Sequence, residues 1–137
     1  MIHIATGLIF DRDNKLLIYL RDNKPTIPFT NYWDLFGGYV EQGEKPEQAL
    51  RREVKEELGV ELKECFKFKD VECLAGDVHQ NIKHIFWAKI DATPENLKLR
   101  VGQKLASIDL SQRHNFKFAN ILGNIIDDFT QSGIILN

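Results

Sequence analysis

Apolar and polar positions alternate between two periods along the chain, and the changes of period mark its elements. Ile2 to Phe10 is an apolar, β-branched run, which predicts a buried strand. Asp11-Arg12-Asp13-Asn14 is a turn signal, and "KLLIYLR" (Lys15 to Arg21) predicts a second strand paired to the first as a hairpin. Residues 22 to 31, "DNKPTIPFTN", hold two prolines and several turn formers, so a loop is expected there, with Pro28-Phe29 placed to line a pocket. "YWDLF" (Tyr32 to Phe36) predicts a short strand ending in a turn at Gly37-Gly38, where two glycines allow positive φ and close backbone approach. Residues 46 to 58 then run without a breaker. Pro46 suits a first helical residue, Lys45 is a poor N-cap, and Gly59 supplies the stop.

Leu62 to Leu74 and Asn81 to Ile90 predict two further strands joined through "AGDVHQ". Residues 91 to 103 are loop-like, and Lys104 to Ile108 is another short strand. Apolar residues at 116, 118, 121, 122, 125, 126 and 129 have helical spacing and predict a helix from Phe116 to Phe129. Mixed strands with two helices point to an α+β fold, with a sheet between helices. The 137 residues are expected to form one domain, with no repeat or linker.

Charge and composition narrow the function. A net charge of -2 carries no basic excess, so neither a nucleic-acid partner nor a membrane surface is expected. No apolar run approaches ~20 residues and the N-terminus lacks a basic n-region, so the expectation is a soluble, cytoplasmic protein, monomer or homodimer. Cys65 and Cys73 are expected to be reduced thiols, and nothing in their spacing suggests zinc. His3, His79, His84 and His114 are given no role.

Residues 46 to 58 carry the chemistry. At ~100° per residue, Leu50, Val54 and Leu58 fall on one stripe, and Glu53, Glu56 and Glu57 on the stripe beside it. Arg51 and Lys55 point to the far side and Arg52 flanks the acids. The bland reading is a solvated face laced with ion pairs. Against it, the bases lie on other stripes, so pairing leaves the acids unneutralised, and the acids border the core. A hard cation, Mg²⁺ or Mn²⁺, suits such an all-oxygen set, and ions held by few carboxylates usually bind substrate phosphates.

"GYVEQGEKPEQALRREVKEELGV" (Gly38 to Val60) resembles the Nudix box, G-x5-E-x7-R-E-U-x-E-E-x-G-U with U bulky and apolar. Gly38, Glu44, Arg52, Glu53, Val54, Glu56, Glu57, Gly59 and Val60 fill it without a mismatch. The resemblance implies an α/β/α sandwich with a mixed sheet between helices, and a pyrophosphohydrolase of the MutT-like kind, acting on a nucleoside diphosphate linked to another moiety, with one or more Mg²⁺ or Mn²⁺ ions. It implies that Glu53, Glu56 and Glu57 hold metal, with the Gly38 carbonyl as a further ligand. Arg52 orients a glutamate, and Glu44 supports the loop or a water-bound metal. Either Glu53 or Glu56 acts as general base. An acid that often precedes Gly-Gln in similar sequences is Val101 here, which leaves Glu95, Asp91 and Asp77 as lesser alternatives.

Signatures for ADP-ribose, NADH and coenzyme A substrates do not occur, so the substrate expected is a nucleoside triphosphate, oxidised or not, or a nucleotide sugar. Phe29, Trp33, Phe36 and Phe86 are candidates to stack on a base, and Arg21 to contact a phosphate. Phe36 stands where the family commonly has proline. Two other readings compete: a module that senses a nucleotide without turnover, and a charged helix with no metal.

Overall fold

A computed structural model describes residues 1–73 and 79–136. The strands are β1 (Ile2–Phe10), β2 (Leu16–Leu20), β3 (Trp33–Asp34), β4 (Phe36–Tyr39), β5 (Phe66–Cys73), β6 (Asn81–Lys89) and β7 (Lys104–Ile108). The helices are α1 (Pro46–Leu58) and α2 (Leu122–Gln131). The strands form one mixed sheet with a path β3-β2-β1-β6-β5; β4 also pairs with β1, and β7 with β2. The sheet lies between the two helices, as expected.

Alternation along β1 and β2 divides the core. Ala5, Ile9, Leu17 and Tyr19 face α1 and pack with its buried Ala49, Leu50, Val54 and Leu58. Leu8, Phe10, Leu16 and Ile18 face the other way, onto Leu122, Ile125, Ile126 and Phe129 of α2. Each fully buried aliphatic side chain contributes ~2 kcal/mol through its area removed from water. The β1–β2 turn is closed by Asp11, whose Oδ1 accepts the N–H groups of Asp13 (2.8 Å) and Lys15 (3.0 Å).

Several boundaries differ from expectation, each for a local reason. Gly37-Gly38 is not a turn. Both glycines lie inside β4, opposite Thr6 and Ala5 of β1. The reversal comes later, where the Glu44 N–H bonds the Glu41 carbonyl (3.0 Å) and Gly43 adopts φ +82°. The strand expected from Leu62 begins at Phe66, because residues 60 to 65 leave α1 as a loop. The helix expected from Phe116 begins at Leu122, because Asn120 takes the left-handed conformation (φ +58°) and breaks it. α1 matches its expected bounds. The Lys45 N–H bonds Gln48 Oε1 (2.8 Å) in place of a side-chain cap from Lys45 itself, and Gly59 at φ +70° donates to the Lys55 carbonyl. Cys65 is a free thiol, and Cys73 is buried at the end of β5.

Candidate active site

β1 changes partner along its length. Phe10 pairs with Leu16 of β2, whereas Ile4 to Gly7 pair with β4. The sheet therefore splits between β4 and β2–β3, and the split is where the two faces communicate. Glycine is required on the β4 side. A Cβ on Gly37, which holds φ +146°, would stand 2.0 Å from the Ala5 carbonyl oxygen. A Cβ on Gly38 would stand 2.5 Å from the Glu53 carboxyl carbon. The box glutamate thus lies directly on the glycine strand.

Arg52 organises the acids. Its Nε and Nη2 donate to the two oxygens of Glu44 (2.8 and 3.0 Å), Nη1 to Glu53 Oε1 (2.9 Å) and Nη2 to the Tyr39 carbonyl (3.1 Å). Glu56 lies 3.6 Å from the same guanidinium and is the most exposed of the three acids. Pairing therefore neutralises part of the cluster, contrary to the wheel, because the long Arg52 side chain reaches across to the acidic stripe. The hydrogen bonds to Arg52 hold the Glu44 carboxyl down at about 2. Glu44 also accepts the Glu41 N–H (3.0 Å), which fixes the loop before α1.

Glu57 is different. It makes no ion pair with Arg52, and its Oε1 accepts the Gly37 N–H (3.1 Å). Burial pushes its carboxyl up to about 8, with the charges of Glu53, Asp34 and Glu56 adding to the shift. Among the described residues, no group of three or more His, Cys, Asp or Glu side chains is placed to hold an ion as it stands. Glu53 is turned onto Arg52 and Glu57 onto the Gly37 N–H. The donors nonetheless fit a hard divalent ion in kind. All are oxygens, they crowd one edge of the glycine strand, and the buried Glu57 carries a proton that a cation would displace.

On the other face, a cavity of about 380 Å³ lies over β1 and β4. Its floor is Ile4, Thr6, Lys83 and Tyr39; the turn before α2 brings Ala119 and Asn120 over it; Pro28 and Phe29 form a wall. Gly37, Gly38, Tyr19 and Asp34 line the side at the split. Phe29 reaches the wall in a conformation unusual for a bulky residue, φ +53°, with its ring against the edge of Tyr32.

Arg21 lines the same cavity, but its guanidinium is committed to the protein. Nη1 donates to Asp34 (2.7 Å), and Nε and Nη2 donate to the Pro28 carbonyl (3.1 and 2.9 Å). It fastens the 22–31 loop to β3 with three of its five N–H groups. Trp33 stands outside the cavity, edge-on to Phe116 and under Lys104. Phe86 is 6% exposed in the core beneath α1 and lies outside the cavity, because its position on β6 points to the α1 face. Phe36, fully buried against Tyr19, is likewise core.

Asp91 pairs with Arg12 beyond the far end of β1. The five steps from Ala5 to Phe10 alone span about 16 Å, so Asp91 is remote from Glu53. Glu95 accepts from Thr93 Oγ1 (2.6 Å) in the neighbouring turn. Asp77 lies outside the described residues. Val101 packs on the α1-side core next to Arg100, whose N–H bonds the Glu57 carbonyl (2.8 Å).

The sequence reading missed Asp34, Tyr19, Tyr39, His79, Lys83 and Asn120. Only Asn120 carried a signal, since asparagine tolerates left-handed φ and so marks a break. His3 and His114 also have partners: His3 Nδ1 lies 2.9 Å from His84 Nε2, and His114 lies 3.0 Å from Asp127.

The model of the NUDIX domain family matches residues 1–120. The chain belongs to the NUDIX family. It is 41% identical over 107 residues to an 8-oxo-dGTP diphosphatase of Proteus vulgaris, covering 76% of this chain and 93% of that protein. It is 53% identical over 59 residues to the nucleoside triphosphatase NudI of Salmonella agona, covering 43% of this chain but only 40% of the relative. Among solved structures, a MutT protein of Methanosarcina mazei superposes with a TM-score of 0.81 at 19% identity, over 98% of this chain and 96% of that one. The protein is therefore a MutT-like Nudix pyrophosphohydrolase, of a family that uses divalent metal ions. No helix among the described residues is long and apolar enough to cross a membrane.

Proposed function

We propose that this Nudix domain, spanning residues 1–137, hydrolyses nucleoside triphosphates, oxidised deoxynucleotides among them, with Mg²⁺ or Mn²⁺. The observation that carries this reading is the continuity of cavity and acids. The cavity's side wall is Gly37-Gly38, and the same two glycines touch Glu57 and Glu53. A base seated over β1 sends its phosphates across Gly37 and Gly38, where β4 carries no side chains, onto the acidic edge of α1. The Proteus relative, matched over nearly its whole length, acts on a substrate of that shape, an oxidised deoxynucleoside triphosphate.

Glu53, Glu56, Glu57 and the Gly38 carbonyl would hold the metal. Bound there, it supplies charge neutralisation for the pyrophosphate and acidifies a water. Glu56, exposed and only loosely paired, takes the proton from the attacking water. Arg52 is a positioning residue, holding Glu53 while Glu44 holds Arg52. Burial of Glu57 against the Gly37 N–H fixes the acid nearest the cavity. Phe29 offers a ring on which a base can stack.

The test is a hydrolysis screen with Mg²⁺ over nucleoside triphosphates, 8-oxo-dGTP and nucleotide sugars, repeated with Glu56→Gln. Expected is release of nucleoside monophosphate from triphosphates, lost in the variant. Turnover of nucleotide sugars alone would overturn the substrate, and full activity of Glu56→Gln would overturn the mechanism. Tight nucleotide binding with no turnover would support a sensing module instead.

A further inference from the structure

Two histidines, His3 and His84, take no part in the hydrolytic site. His84 stands on β6, across β1 from β4 and the Glu53 that rests on it. His3, at the start of β1, pairs with Ile82, one row along the same face from His84. Alternation puts both side chains on the face of Ala5 and Phe86, the α1 face. There three residues form a chain across three strands. His84 Nδ1 lies 2.8 Å from Asp70 Oδ1, and His84 Nε2 lies 2.9 Å from His3 Nδ1. Asp70 is the residue directly opposite His84 on β5. Lys67 also donates to Asp70. It brings one positive charge to the cluster, and Asp70 with the exposed Glu72, opposite Ile82 on the same face, brings two negative ones.

The chain fixes where the hydrogens sit. An ionised carboxylate only accepts, so His84 Nδ1 carries a hydrogen and gives it to Asp70. His84 Nε2 is then the bare nitrogen, with its lone pair directed at His3. A metal-binding histidine is held in this way, one nitrogen donating to a carboxylate and the other offered to the ion. The His84 side chain is fixed, 13% exposed, whereas His3 is exposed. The two ring planes lie within 17° with centroids 5.1 Å apart, so the nitrogens meet edge to edge. Two nitrogens bound at ~2.0–2.1 Å to one ion stand about 2.9 Å apart at a right angle and about 3.4 Å apart at the tetrahedral angle. The spacing of 2.9 Å already matches the first. An outward turn of the exposed His3 ring makes the two lone pairs converge. His3 carries its hydrogen on Nε2 in that state, so both ligands are neutral imidazoles.

We propose that His3 and His84 form a second metal site, for a dication of the zinc class, with Asp70 orienting His84 and water completing the shell. Imidazole suits zinc, nickel and copper, whereas Mg²⁺ prefers oxygen ligands such as the acids of α1. The two sites therefore sort ions by chemistry, nitrogen on one side of β1 and oxygen on the other. An ion held by both histidines ties β1 to β6 at the end of the sheet and stabilises the folded chain. The inference is independent of the nucleotide reading above and goes beyond it.

The probe is Zn²⁺, titrated into the full chain without a histidine tag, in excess Mg²⁺ to occupy the acids. Calorimetry gives affinity and stoichiometry, NMR of the imidazole protons gives the place, and Tm gives the effect on the fold. Expected is one Zn²⁺ per chain, shifts of the His3 and His84 resonances with His114 unmoved, and a rise in Tm. Loss of an outer partner of a metal typically costs 10- to 100-fold in affinity, so Asp70→Asn should weaken binding by about that much. His3→Ala and His84→Ala each remove a direct ligand and should cost at least as much, with the rise in Tm lost. Glu56→Gln should bind Zn²⁺ like the wild type. Zn²⁺ that leaves the His3 and His84 resonances in place overturns the proposal, as does affinity that survives either alanine variant. Binding lost in Glu56→Gln also overturns it, since the ion is then on the acids. His3 is exposed and the wild-type spectrum needs no variant, so the proposal stays open to refutation even where His84→Ala fails to fold.

Discussion

The two faces of the sheet are assembled in different ways. On the α1 face, the acids, their guanidinium and the two glycines they rest on all come from Gly37 to Val60, and hydrogen bonds such as Arg52 to Glu44 join residues eight apart. On the α2 face, the cavity draws on β1, β2, the 22–31 loop, β3, β4, β6 and the turn before α2. Catalytic chemistry needs few groups at fixed spacing, which one strand, one loop and one helix can supply. A base needs walls on several sides, which only the assembled fold supplies. The largest expected effect tests the first half. Glu56→Gln should lower kcat by at least about a hundredfold, the scale on which even outer partners of a metal act, while binding of a nucleoside monophosphate in the cavity stays unchanged. If binding falls in step with kcat, the two faces are not separable.

Next in size is a pair of glycine substitutions at adjacent positions. Gly38→Ala drives a Cβ into the Glu53 carboxyl, a flexible group that can swing away at the cost of its place on Arg52. Gly37→Ala drives it into the Ala5 carbonyl at a φ that L residues rarely adopt, and backbone cannot swing away. The first variant should keep a cooperative melt and lose activity by about 10- to 100-fold. The second should lose a few kcal/mol of stability, on the order of other overpacked or strained core sites. Measuring Tm and kcat on both settles whether Gly38 serves the acids and Gly37 the sheet. Equal losses of stability would remove the distinction.

This division also explains how much was legible in the sequence. α1 was bounded correctly because its period, its Pro46 start and its Gly59 stop all agree. Glu53, Glu56, Glu57, Glu44 and Arg52 were nameable because one helix and one short loop hold them. The reach of Arg52 onto Glu53 and Glu44 was not, since a wheel shows direction and not side-chain length. The aromatic candidates fared unevenly. Phe29 lines the cavity, but Phe86 and Trp33 do not, because which face of β6 meets α1 is decided by β1–β6 register, and that pairing joins residues about eighty apart in sequence. Asp34 and Lys83 escaped for the same reason. Their surroundings come from elements distant in the chain.

A smaller effect probes the electrostatics of the split. The Glu57 carboxyl, ordinarily at 4.5, is raised to about 8 by burial and by the acids around it. The native state thus holds this proton more tightly than the unfolded chain does. With respect to Glu57, stability is fully present below about pH 4.5 and is lost as pH rises through about 8. Without metal, Tm should fall by several degrees between pH 5.5 and 8.5, given that ~1 kcal/mol moves Tm by roughly 2–8 °C. Glu57→Gln should flatten this slope, which isolates Glu57 from other buried acids such as Asp34. Mg²⁺ should raise Tm more at pH 8.5 than at 5.5, because only the ionised carboxylate binds it well. A Mg²⁺ effect equal at both pH values would detach Glu57 from the metal.

The smallest effect lies on the recognition face, at Phe29. Its ring forms part of the cavity wall, and its backbone is held at φ +53° by a loop tied down through Arg21 and Thr30. Phe29→Ala removes the ring and keeps the strained backbone. Phe29→Gly removes the ring and relieves the strain, since glycine adopts positive φ freely. Stacking on an aromatic ring is worth roughly 1–3 kcal/mol per base, so both variants should raise KM by about tenfold with kcat unchanged. The two should separate in stability, with Phe29→Gly the higher-melting by an amount that reports the strain. A change confined to kcat in either variant would move Phe29 from recognition to the chemistry of the acids, and with it erase the boundary drawn at the glycine strand.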